Sequence, residues 1–193
     1  MMSTELQAEI ATLASQTEGP FYFYSLSGIQ KTWQRLRERF PSDLEILYSA
    51  KANSHPEILK TLLTLGATVD VASHGELHAS RDAGFTAKRI EFTGPGKTPS
   101  ELRAAIEVGV DTLVVESIQE LELIESIASQ LGKQISVSLR IHPARYVTNS
   151  GRLLEGEPSQ FGIDEDLLPT VAAMYKSCQH VQIRGTHTHS QSN

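Results

Sequence analysis

The chain has 193 residues, 39% hydrophobic and 6% aromatic, enough to bury a core without disulfide staples, and its lone Cys178 fits a reducing compartment rather than a secreted scaffold. Seventeen Lys and Arg against 23 Asp and Glu leave a net charge of −6, which gives no electrostatic basis for wrapping nucleic acid or lying on an anionic membrane and points to small soluble partners. No apolar run approaches the roughly 20 residues of a membrane helix, and the start Met1-Met2-Ser3-Thr4-Glu5 lacks the basic-then-apolar layout of a signal peptide, so a cytoplasmic protein is expected.

Residues 1–40 read as an N-terminal helix (Leu6, Ile10, Leu13), an aromatic strand Phe21–Tyr24, and a linking helix with Ile29, Trp33, Leu36 and Phe40 on one face. From residue 41 to 193 β-branched apolar runs alternate with helical patterns, the mark of βα units around a parallel sheet. The strands are expected at Glu45–Ala50, Ala67–Ala72, Arg89–Thr93, Asp111–Glu116, Gln134–Ile141 and His180–His187, the first five starting about 22 residues apart. Helix starts give independent support. Ser54-x-x-Glu57, Ser73-x-x-Glu76, Thr98-x-x-Glu101 and Ser117-x-x-Glu120 each follow a strand, as capping boxes do, and Pro56 and Pro99 sit in first turns where a missing N–H costs nothing. The polar loop from about Pro143 to Glu157 is the one long insertion, and loops of that length in compact domains are usually functional or mobile.

Six strand–helix steps suit a doubly wound sheet or a (β/α)₈ barrel. A dinucleotide fold wants Gly-x-Gly-x-x-Gly after its first strand, whereas Tyr48 is followed by Ser-Ala-Lys-Ala-Asn-Ser, so an incomplete barrel of TIM type is expected. Closure takes eight units and about 250 residues. The ending Gly185-Thr-His-Thr-His-Ser-Gln-Ser-Asn193 accordingly reads as the middle of a longer polypeptide.

Reactive groups in such folds gather at the carboxyl ends of strands, where this sequence places Lys51, Asp70, Ser73, Arg140, His142, His187, His189 and Ser192. Lys51 ends the run Ile46-Leu-Tyr-Ser-Ala-Lys, whose alternate residues face inward. Burial there would disfavour the ammonium form and make the amine a nucleophile for carbonyls, although a snorkelling surface lysine is the plain alternative. Asp70 can equally be paired with a neighbouring cation, Arg140 being one choice, and Glu76 is explained by its helix cap. Gly94-Pro-Gly-Lys97-Thr98 mimics the tail of a phosphate-binding loop, but the first required glycine position is Glu91, inside a strand. His187-x-His189 puts two imidazoles on one strand face and can serve zinc, as in metal-dependent barrel hydrolases, though without their usual first-strand placement; no metal is expected.

Tyr48-Ser-Ala-Lys51-Ala-Asn53 resembles a segment of the pyridoxal phosphate (PLP)-dependent ornithine/diaminopimelate/arginine decarboxylase family, fold-type III, with its alanine racemase-like barrel. The resemblance continues in order through Leu65-Gly-Ala-Thr-Val-Asp70-Val-Ala-Ser73-His-Gly-Glu76, Phe92-Thr-Gly-Pro-Gly-Lys97, Leu139-Arg140-Ile141, Gln160-Phe-Gly-Ile-Asp164 and Gly185-Thr-His-Thr-His189-Ser-Gln-Ser192. It implies that Lys51 holds PLP as a Schiff base and is the catalytic residue. It further implies that Asp70 lies beside the cofactor and the lysine, Arg140 near the cofactor's polar edge, His189 stacked on the pyridine ring, and Ser192 on the phosphate. The activity implied is loss of an α-carboxylate as CO₂ from an amino acid, diaminopimelate-like or carrier-tethered, in an enzyme that is a homodimer at full length.

Gln191 stands where the family tail usually has glycine. The Gly-rich phosphate loop, the Glu that pairs with the pyridinium nitrogen and the C-terminal β-domain have no counterpart among these residues. A truncated, inactive homologue that docks on a partner is therefore the second reading, and the metal hydrolase the third.

Overall fold

The computed structural model describes residues 4–143, 145–147, 153–155 and 159–189. It divides into two compact units, residues 1–41 and 42–193.

The first unit carries α1 (Thr4–Gln16) and α2 (Leu26–Arg39). Helix α2 begins where the Ser25 hydroxyl accepts from Gly28 N, replacing one of the partners that the first helical turn lacks, and buries Trp33. The aromatic strand expected at Phe21–Tyr24 does not form. A strand needs a neighbour for its backbone groups, and no described strand pairs with this segment, which leaves Tyr22 90% exposed and loosely stacked on Tyr24.

The second unit contains all six expected strands. Its order is β1 (Leu47–Ser49), α3 (Pro56–Thr64), β2 (Thr68–Val71), α4 (His74–Asp82), β3 (Ile90–Phe92), α5 (Pro99–Val108), β4 (Thr112–Val115), α6 (Ile118–Leu131) and β5 (Ile135–His142). There follow an antiparallel pair β6 (Arg145–Val147) and β7 (Leu153–Glu155), then β8 (Ile163–Asp164), α7 (Leu168–Tyr175) and β9 (Val181–His187). The sheet runs β1-β2-β3-β4-β5-β9, all parallel, and the short β8 pairs with the far end of β5. Each new strand is added on the same side as the last. A doubly wound sheet would reverse direction at a switch point, so this order is that of a barrel wall.

Alternation along the strands separates two environments. Val69, Val71, Ile90, Phe92, Leu113, Val115, Val137 and Leu139 are buried in one apolar cluster with the helix residues Leu59, Leu77, Leu102, Ile106, Leu121 and Ile124. Each large side chain buried in this way contributes about 1.5–3 kcal/mol. The opposite face carries Ser49, Asp70 and Glu91, which the parallel register sets side by side on β1, β2 and β3. A strand with hydrocarbon on one side and hydroxyls and carboxylates on the other is suited to pack helices outside and surround a polar interior.

The four helix starts do not behave alike. Thr98 and Glu101 form a reciprocal capping box, closed at Thr98 N by Glu101 Oε2 at 2.9 Å. In α4 and α6 the serine half forms, but the glutamate reaches one residue further back: Ala72 N donates to Glu76 Oε2 and Glu116 N to Glu120 Oε2. The box expected at Ser54 is absent. His55 caps α3 instead, its Nδ1 accepting from Glu57 N, while Asn53 Oδ1 accepts from His55 N and tightens the turn.

Candidate active site

The carboxyl ends of the strands surround a cavity of about 510 Å³. Strand β1 contributes Leu47 and Ser49, two residues apart and therefore on one face, and the turn after it Lys51; β2 adds Asp70, β3 and the residue after it Glu91 and Thr93, β5 adds Arg140, and β9 with its extension adds His187 and His189. Four of the five sequence-expected residues are thus brought together. The fifth, Ser192, lies outside the described residues.

Lys51 differs from expectation in one respect. Strand β1 ends at Ser49 and the lysine sits on a short 3-10 turn, Ala50–Ala52, where it is exposed, so the burial expected to disfavour its ammonium form is not present. The turn is steadied by Tyr48, whose hydroxyl donates to Asn53 O at 2.9 Å. Asp70 is half-buried, and both carboxylate oxygens are engaged: Ser49 Oγ donates to Oδ2 at 3.0 Å and Thr93 Oγ1 to Oδ1 at 2.7 Å. Neighbouring strands therefore aim it, and Arg140 is not its partner.

Arg140 belongs to a different group, built on a residue that the sequence reading passed over. Glu116, at the carboxyl end of β4 and 4% exposed, accepts from Arg140 Nη1 at 2.9 and 3.2 Å, from Gly94 N at 3.0 Å and from Gly162 N at 3.0 Å. The other side of the guanidinium lies over the Phe161 ring, 4.8 Å from its centre. Gly162 has φ +84°, and a Cβ there would stand 3.0 Å from Arg140 O and 3.1 Å from His142 N, so glycine is required on two counts. Behind Glu116, the Lys97 side chain is fully buried, 2.9 Å from Glu120 Oε1, and donates to Val114 O at 2.8 Å and to Gly94 O. The Gly94-Pro-Gly-Lys97 turn is thus anchored by its lysine from beneath. Burial outweighs the Lys97 charge and holds the Glu120 carboxyl above the usual range.

Glu91 was also missed. Burial first, then the charges of Asp70, Asp111 and Glu45, raise its carboxyl to about 7. His187 is lowered, mainly by burial and then by Arg140, its neighbour in the β5–β9 register; its Nδ1 is buried with no hydrogen-bond partner. The available signals were a charge inside the apolar run Ile90-Glu-Phe92 and an acid closing Leu113-Val-Val-Glu116. Among the described residues no three His, Cys, Asp or Glu are gathered as a metal site, and no helix is long and apolar enough to cross a membrane.

The barrel wall thus brings a lysine, an aimed aspartate and two histidines to one cavity. Residues 26–193 match the family model "Pyridoxal-dependent decarboxylase, pyridoxal binding domain", and the chain belongs to that family. It is 37% identical over 184 residues to the L-glutamyl-[BtrI acyl-carrier protein] decarboxylase of Niallia circulans, covering 95% of this chain and 43% of that protein. With the diaminopimelate decarboxylase of Aquifex aeolicus it shares 34% identity over 91% of this chain and 42% of the relative. The crystal structure of diaminopimelate decarboxylase from Helicobacter pylori complexed with L-lysine superposes with a TM-score of 0.83 at 29% identity, over 95% of this chain and 47% of that one. The chain spans less than half the length of these relatives. Its parallel strands match the barrel domain of their fold.

Proposed function

We propose that the chain is the cofactor-holding part of a PLP-dependent amino-acid decarboxylase whose substrate is diaminopimelate-like or an aminoacyl group tethered to a carrier. The observation that carries this reading is that Lys51 and Asp70 stand at the carboxyl ends of adjacent strands on the wall of one cavity. The donor set fits the cofactor: an exposed amine for its aldehyde, an aimed carboxylate, a guanidinium, two imidazoles and a volume of about 510 Å³, within the usual range of ligand sites. The unpartnered Nδ1 of His187 marks a polar surface left incomplete by the protein alone.

In this reading Lys51 Nζ would hold the cofactor's aldehyde end and would move a proton at the substrate carbon. Asp70, fixed by Ser49 and Thr93, presents its carboxyl group to the same cavity. Arg140 would serve the cofactor's polar edge, His189 its ring and Ser192 its phosphate. When bound, PLP supplies the electron-accepting ring that takes up the electron pair released as CO₂ leaves. The relatives' named activities, one on a carrier-bound glutamyl group and one on diaminopimelate, support the choice of substrate class.

The test is to add PLP to the chain, reduce with borohydride and locate the adduct by peptide mass analysis. Attachment at Lys51, lost in Lys51→Ala, is the expected result. No adduct, or one spread over surface lysines such as Lys60 and Lys133, would sink the proposal.

A further inference from the structure

We propose that Glu116 is the positioning residue of this cavity and acts through Arg140. This rests on the PLP reading above, to which it adds a residue. A carboxylate 4% exposed needs several hydrogen bonds, and Glu116 receives them from three different strand ends. Gly94 N donates from the turn after β3, Gly162 N from the turn before β8, and Arg140 Nη1 from β5. Two of these donors are backbone groups at positive-φ glycines, with φ +99° at Gly94 and +84° at Gly162. The carboxylate therefore cannot turn without leaving two part-buried N–H groups unpaired, and its direction is set by the backbone.

That fixed carboxylate in turn holds the guanidinium. Arg140 Nη1 reaches both Glu116 oxygens, and Phe161 packs on its flat face, so the side chain is restrained from two directions while it lines the cavity. Glu116 also compensates the arginine's charge. The cavity is thereby offered an oriented donor whose cationic field is largely cancelled, rather than a free cation that would draw in any anion. Pairing of Arg140 with Asp70 was one alternative in the sequence; the guanidinium instead meets Glu116, and the Asp70 oxygens take the hydroxyls of Ser49 and Thr93.

The test is a double-mutant cycle in the full chain with two readouts. The first is the apparent PLP affinity, from borohydride trapping at Lys51 across a PLP titration. Glu116→Gln and Arg140→Met are each expected to weaken it at least tenfold, and the double variant to stay within about twofold of Arg140→Met. A Glu116→Gln affinity equal to that of the unaltered chain, or losses that multiply in the double variant, overturns the inference and leaves the PLP reading standing. The second readout needs no cofactor: the rate of Arg140 modification by phenylglyoxal, followed by mass analysis. Glu116→Gln is expected to raise it several-fold, and an unchanged rate overturns the inference even where the unaltered chain fails to take PLP at Lys51. If Glu116→Gln does not fold, Glu116→Asp, which keeps the charge but withdraws it from Arg140, replaces it in both measurements with the same expectations.

Discussion

Replacing Glu91 with glutamine removes a titrating group from the barrel interior while keeping its volume. In the folded chain the carboxyl titrates at about 7, against 4.5 when exposed, because burial and then Asp70, Asp111 and Glu45 disfavour its charge. Below pH 4.5 the group is protonated whether folded or not and adds nothing to the pH dependence. Between 4.5 and about 7 the unfolded chain releases the proton and the folded chain keeps it, so stability falls as pH rises. Above 7 both forms are ionised and the loss is complete. At about 1.4 kcal/mol per pH unit the ceiling is about 3 kcal/mol, and because Glu91 is only half-buried, solvent screening brings the expected loss to about 1–2 kcal/mol. Urea unfolding at pH 5, 6, 7 and 8 measures this directly. Glu91→Gln is expected to be close to the unaltered chain at pH 5 and more stable by about 1–2 kcal/mol at pH 8. Other titrations affect both chains and cancel in the difference. Two stability profiles that stay parallel from pH 5 to 8 would refute the reasoning.

Other substitutions probe the remaining supports of the site. Gly162→Ala adds a Cβ 3.0 Å from Arg140 O in a left-handed conformation, and urea unfolding is expected to show a loss of about 2 kcal/mol or more. Lys97→Met leaves Glu120 buried without its cation and is expected to cost about 3–5 kcal/mol, most of it recovered in the double variant with Glu120→Leu; a double variant no better than the single contradicts the pairing. Thr98→Ala opens the one complete capping box and is expected to lower stability by about 1 kcal/mol, with Ser54→Ala as a near-neutral control because Ser54 caps nothing; thermal unfolding compares the two.

Much of the architecture was written locally. The strand spacing, the hydroxyls that open α4, α5 and α6 and the two-residue alternation follow from backbone geometry and solvent, which act within a few residues, so the six main strands of the sheet were legible and only the two-residue β8 was not. The same logic put Lys51, Asp70, Arg140 and His189 at the strand ends that surround the cavity. Where local rules were insufficient the errors had physical causes. Phe21–Tyr24 has the composition of a strand, but a strand is a relation between two segments, and no described strand pairs with it. The run from Ile46 to Lys51 alternates like one strand, but only Leu47–Ser49 pair, so Lys51 falls on an exposed turn rather than in a buried strand.

The sequence by itself determined the order of the βα units, the two faces of each strand and the residue types at the cavity's edge, since each depends on near neighbours along the chain. The tertiary structure alone decided the charges' partners. Glu116 meets Arg140, 24 residues away, and Gly162, 46 residues away, because parallel strands bring distant carboxyl ends to one level, and burial then makes each pairing strong enough to hold. Which carboxylate keeps its charge and which, like Glu91, is pushed to about 7 is likewise set by what the fold packs around it.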